Sequence, residues 1–233
     1  MLTNELLVLH RRAVLDSVAA VDQVEVADLI RPTPCADWTL AELLAHMTVQ
    51  HHGFAAAAEG NGADPEVWRV RPLGPDPVRE YRAAADRVLA AFAAEGVPAR
   101  EFALAEFGAS FPAARAIGFH LIDYVVHGWD VARALGNPYR LAPELVEVSS
   151  RIAFAVPDDG DRRRSGAPFR PALAAEGGAN GADLVVAGAI AALAGLTTRR
   201  TRSRGWDVFP GCGGSARCGR WGGRRAGRGN RGG

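Results

Sequence analysis

The sequence predicts an all-α protein, an up-down four-helix bundle followed by an extra short helix and an irregular C-terminal tail. Three observations carry that expectation. Apolar residues recur at helical spacing over four long segments, the mark of helices that each bury one face. Start and stop signals bracket those segments, with Thr39, Pro77 and Pro112 on the entry side and Gly96 and Gly136 on the exit side. No run of alternating residues before residue 165 is long enough to make a strand.

The first helix is expected over residues 2–22, with Leu6, Leu7, His10, Ala13, Val14, Ser17 and Val21 on its apolar stripe. His10 therefore reads as a core residue unless it points into the same cavity as His46. Pro32 and Pro34 hold the chain extended up to Cys35. Thr39 and Glu42 then form a capping box, and Trp38 with Leu43 fits a hydrophobic staple. Leu40, Leu43, Leu44 and Met47 make the buried stripe of this second helix, and His46 lies at its edge, facing inward. His51 and His52 fall near the expected helix end and read as solvated.

Residues 59–76, rich in Gly, Pro and Asp, read as a long surface loop. The third helix runs from Pro77 to Glu95 and buries Val78, Tyr81, Ala85, Val88, Leu89 and Phe92. The fourth opens at Pro112 and stops at Gly136-Asn-Pro, and a short helix follows from Pro143 to about residue 155. The expected organisation is a bundle over 1–157, an extension over 158–198 with one more helix at 182–196, and an Arg/Gly-rich tail over 199–233.

Charge divides the chain the same way. All 27 basic residues are arginine, and the 48% apolar content is enough for a real core. Residues 199–233 hold ten Arg and the single acid Asp207, whereas the preceding 198 residues hold 17 Arg and 25 acids. An acidic body is a poor nucleic-acid binder, so nucleic acid enters only through the tail. That tail has the composition of a GC-rich gene translated out of frame, with an RGG-like RNA-binding segment as the alternative. Cys35, Cys212 and Cys218 are too few for a disulfide framework, and no apolar run spans a membrane. A cytoplasmic location is expected.

The chemistry concentrates in His120-Leu-Ile-Asp123-Tyr-Val-Val-His127-Gly-Trp-Asp130. At about 100° per residue, His120, Asp123, His127 and Asp130 share one stripe roughly 80° wide. Two imidazoles and two carboxylates so spaced suit a divalent metal, although a solvated face would show the same pattern. Asp130 has two readings, orienting an imidazole or pairing with Arg133, of which the ion pair is favoured. Trp38, Trp129 and Cys35 read as packing residues, and Tyr124 borders the polar stripe within reach of a ligand.

Two segments together carry a family resemblance. Pro32-Thr-Pro-Cys-Ala-Asp-Trp-Thr-Leu-Ala-Glu-Leu-Leu-Ala-His46 and Asp123-Tyr-Val-Val-His127-Gly-Trp-Asp-Val-Ala-Arg-Ala-Leu-Gly136 resemble, in order and separation, the motifs of mycothiol-dependent maleylpyruvate isomerase-like proteins. These belong to the DinB-like four-helix-bundle superfamily of actinobacteria. The resemblance covers roughly residues 5–155 and implies a metal site on His46, Asp123 and His127. One departure stands: the isomerase pattern has Glu where this chain has Asp123. The shorter acid requires the metal to sit nearer the backbone, or a bridging water, or His120 as substitute ligand.

Three protein ligands leave a fourth position open, the arrangement of a catalytic zinc site. The expected cofactor at such a site is a divalent metal, zinc first, and the family resemblance implies mycothiol as the thiol. The expected reaction is isomerisation or S-transfer on a small electrophile, with the thiol as nucleophile. A metal-dependent hydrolase or a non-catalytic metal-binding bundle would use the same ligands.

Overall fold

The computed structural model describes residues 3–35 and 38–154. The expected extension over 158–198, the tail over 199–233, Cys212 and Cys218 lie outside the described residues. Among the described residues five α-helices appear in order: α1 (Thr3–Val21), α2 (Leu40–Ala58), α3 (Pro77–Ala93), α4 (Ala113–Leu135) and α5 (Pro143–Phe154). Two short strands, β1 (Glu101–Leu104) and β2 (Ala109–Pro112), stand between α3 and α4. Among the described residues no helix is long and apolar enough to cross a membrane.

Local chemistry accounts for the helix ends. The Thr39 side chain accepts from the Glu42 amide at 3.4 Å, and the Thr39 amide donates back to Glu42 Oε2 at 2.8 Å. This is the reciprocal capping box that the sequence announced. Asp76 caps α3 by accepting from the Arg79 amide at 3.1 Å, with Pro77 in the first turn, where its missing N–H costs nothing. Gly136 closes α4 in the left-handed region at φ 77°, a conformation that costs a glycine little.

The bundle expected from the sequence is present. α1 packs chiefly along α4 and α2 along α3, while α1–α3 and α2–α4 contacts close the ring. Side-chain pairs reveal the helix directions. His51 meets Tyr81 while Glu59 meets Arg87, so α2 and α3 run parallel. His10 meets His120 while Ser17 backs onto Gly128, so α1 and α4 run parallel too. Ser17 bonds Tyr81 while His10 stacks near Phe92, and Met47 pairs with Tyr124 while His51 pairs with His120. Those two pairings make α1–α3 and α2–α4 antiparallel, so the helix order is up-down-down-up.

This order explains residues 59–76. A segment joining two parallel neighbours must travel back along the bundle, a distance of about 28 Å for a 19-residue helix. On the way it forms a 3-10 turn, Pro65–Trp68, whose Trp68 indole is buried and donates to the Gly62 carbonyl at 2.8 Å. The Trp68 ring packs so closely on Gly53 of α2 that a Cβ there would overlap it.

The β1–β2 hairpin is the element that sequence periodicity did not reveal. It is antiparallel, with Phe102 opposite Phe111 and Leu104 opposite Ala109. Only Phe102 and Leu104 of β1 are buried, so four residues offer two inward positions, too few to register as alternation. The core divides into two apolar clusters. One gathers Phe54, Trp68, Phe92, Phe102, Ile117 and Leu145, and the other Trp38, Leu43, Leu44, Met47, Tyr81 and Val131.

Candidate metal centre

Two antiparallel helices bring the expected ligands together. His46 is six residues past Leu40 at the start of α2, where the capping box and Trp38 fix its height. Asp123 and His127 lie one turn apart on α4. His127 Nε2 is 3.4 Å from Asp123 Oδ1, and His46 Nε2 is 4.0 Å from Asp123 Oδ2. One donor atom from each of the three residues falls within 4.8 Å of the others. A tetrahedral ion with bonds of about 2.1 Å spaces its ligand atoms about 3.4 Å apart, so small side-chain shifts would close this set around one ion.

Two further observations fit a cation. Asp123 Oδ2 is buried and has no hydrogen-bond partner, a costly state for a carboxylate oxygen unless a positive charge meets it. His127 Nδ1 is bonded to Asp130 Oδ2 at 2.9 Å, which turns Nε2 toward Asp123. A carboxylate behind a histidine in this way fixes the tautomer and orientation that a metal ligand needs. Burial alone would lower the His127 pKa, but the carboxylates of Asp123 and Asp130 outweigh it and raise it well above the usual value. The two carboxylates thus favour positive charge at this ring. The Trp38 ring covers His46 at a centroid distance of 4.9 Å. Asp123 keeps 14% of its side chain exposed against 6% for His46 and 3% for His127, so the set opens to solvent on the aspartate side.

The structure corrects several expectations. His120, expected beside the cleft as a substitute ligand, is instead hydrogen-bonded to His10 at 2.8 Å and to His51 at 3.3 Å. It shares a helix face with His127 but lies seven residues away, about 10 Å along the axis. His51, expected at the solvated end of α2, is fully buried and stacks on Tyr124 at 3.9 Å. The reason is that α2 continues to Ala58, so the stripe through Leu40, Leu44 and Met47 runs on through His51 and Phe54. Tyr124, expected near a ligand, is fully buried, donates to the Met47 carbonyl and separates the two histidine groups.

Burial holds all three histidines of this inner group uncharged. It lowers His10 to about 3, and it drives His51 and His120 well below the usual value, helped by neighbouring histidines. Asp130 pairs with His127, while Arg133 lies over the Trp129 ring at 5.5 Å, so the orienting role prevails over the Asp130–Arg133 ion pair. Cys35, read as packing, has a donor atom within 4.8 Å of donors on both His127 and Asp130. An open depression of about 500 Å³, lined by Ala56, Asn61, Val67 and Arg87, lies beyond Ala56, about 15 Å along α2 from His46, and holds none of these groups.

Comparison with known proteins agrees with this architecture. The sequence profile of the family described as "Mycothiol maleylpyruvate isomerase N-terminal domain" matches residues 10–132. Two uncharacterized proteins of Mycobacterium tuberculosis, one from each of two strains, are 31% identical over 169 residues, covering 70% of this chain and 85% of theirs. Two solved structures, of the mycothiol-dependent maleylpyruvate isomerase and of a histidine-to-alanine mutant of it, superpose with TM-scores of 0.53 and 0.54. Both are 17% identical and cover 66% of this chain and 70% of that chain, a likeness of fold.

Proposed function

The chain belongs to the mycothiol maleylpyruvate isomerase N-terminal domain family, and on that premise we propose a divalent-metal-binding, thiol-dependent isomerase or S-transferase acting on a small electrophile. The observation that carries this reading is the convergence of His46, Asp123 and His127 from two helices, with Asp130 behind His127. Zinc is the first choice of ion, given two imidazoles and one carboxylate. Mycothiol is the first choice of thiol, from the solved isomerase to which the fold is similar.

Each residue has a part in this reading. His46 and His127 offer imidazole nitrogens, and Asp123 adds the negative charge that favours a cation over a second proton. Asp130 lies on the Nδ1 side of His127, which leaves Nε2 as the nitrogen turned to this ion. Trp38 excludes water from the His46 side and leaves entry past Asp123. When bound, a divalent ion supplies Lewis acidity that lowers the pKa of a thiol entering the remaining position.

The test combines metal analysis with calorimetry of mycothiol binding, on the wild-type protein and on His127→Ala. The wild type should hold one equivalent of metal at this set and bind the thiol saturably. His127→Ala should keep its helical circular dichroism and lose both, because a bundle with this much apolar core does not need the ion to fold. Metal without saturable thiol binding would favour a metal-dependent hydrolase or a non-catalytic metal-binding bundle. Absence of metal from protein purified without chelators would end the proposal.

A further inference from the structure

Behind His127, on the side away from Asp123, lies a second group of donors. Cys35, His127 and Asp130 each offer one ligand atom, all within 4.8 Å of one another. His127 Nδ1 faces this side, because that nitrogen is the one bonded to Asp130. We propose that Cys35, Asp130 and His127 Nδ1 form a second metal position, selective for a thiophilic divalent ion such as zinc or cadmium.

Asp130 supplies an observation independent of the cysteine. Its carboxylate is 1% exposed, spends Oδ2 on His127, and leaves Oδ1 buried with no hydrogen-bond partner. A buried carboxylate oxygen in that state loses its hydration without replacement, a cost that a cation removes. Cys35 is set in place by its backbone. Its carbonyl accepts from Thr33 Oγ1 at 3.0 Å and from the Trp38 amide at 3.2 Å, and Thr33 Oγ1 also reaches the Trp38 carbonyl at 3.0 Å. Cys35 is only half-buried, which gives an ion a path from solvent.

The donor types decide the ion. A thiolate beside an imidazole and a single carboxylate suits zinc and cadmium, whereas magnesium and calcium require a shell of oxygens. Binding releases two protons to solvent, one from Cys35 Sγ and one from His127 Nδ1, and the ion takes both places. This position uses none of the thiol chemistry proposed above and stands or falls separately.

The experiment is a cadmium titration of the full-length chain with Cys212 and Cys218 replaced by serine, followed by thiolate-to-metal charge-transfer absorption. A saturable band is expected in that background and in its His46→Ala variant. Cys35→Ala and Cys35→Ser should abolish the band, and Asp130→Asn should weaken cadmium binding at least tenfold, with circular dichroism confirming that each variant is folded. No saturable band in the background protein would overturn the proposal. So would loss of the band in His46→Ala, which would make Cys35 a ligand of the first set.

Discussion

Acid should dismantle this bundle through its inner histidines before its carboxylates titrate. His10, His51 and His120 form one buried, hydrogen-bonded group between the two halves of the core, and burial holds each neutral. Once unfolded, each regains a pKa near 6.5 and takes up a proton that the folded chain refuses. The unfolded state therefore binds more protons below about pH 6.5, and stability falls as pH falls through that value. Each histidine contributes about 1.4 kcal/mol per pH unit once well below it, which amounts to about 2 kcal/mol between about pH 7.5 and about pH 5. Three together remove about 6 kcal/mol, comparable with the whole stability of a domain at about 5–15 kcal/mol. His127 has the opposite sign. Its raised pKa gives stability that is fully present below 6.5 and lost as pH rises through the folded value, so between about pH 7.5 and about pH 6 it offsets about 1 kcal/mol of the loss. Urea unfolding at a series of pH values, with chelator present so that metal binding does not intrude, measures the effect. His51→Phe keeps a ring on Tyr124 and removes one titrating group, so its loss over the same window should be smaller than that of the wild type by about 2 kcal/mol. Stability that stays flat from about pH 7.5 to about pH 5.5 would refute the idea that the three histidines are buried and neutral.

Three further outcomes follow from named contacts. Asp130→Asn should lower metal affinity at the His46 set by about 10–100-fold, read by competition with a chelator, because His127 loses the carboxylate that orients it. Gly53→Ala should destabilise the fold by about 1–3 kcal/mol in urea titrations, since the new methyl meets the buried Trp68 ring, whereas Thr39→Ala should cost about 1 kcal/mol through the lost cap.

The sequence by itself determined the parts of this protein that depend on neighbours along the chain. Thr39 with Glu42, Pro77, and Gly136 set helix ends through hydrogen bonds and backbone conformations spanning only a few residues. The i, i+4 spacing likewise put Asp123 and His127 on one face without reference to the rest of the fold. Tertiary structure decided what depends on height along the bundle and on helix direction. His120 and His127 share a face, yet only the antiparallel match of α4 to α2 sends one to His51 and the other toward His46. Burial of Asp130 gives it to His127 rather than to Arg133, which lies over Trp129, and the folded chain brings Cys35, from a loop about ninety residues away, within reach of that imidazole. Periodicity reports which side of a helix is inward. Which side chain it meets there is a property of the partner helix, and it takes form only when the bundle closes.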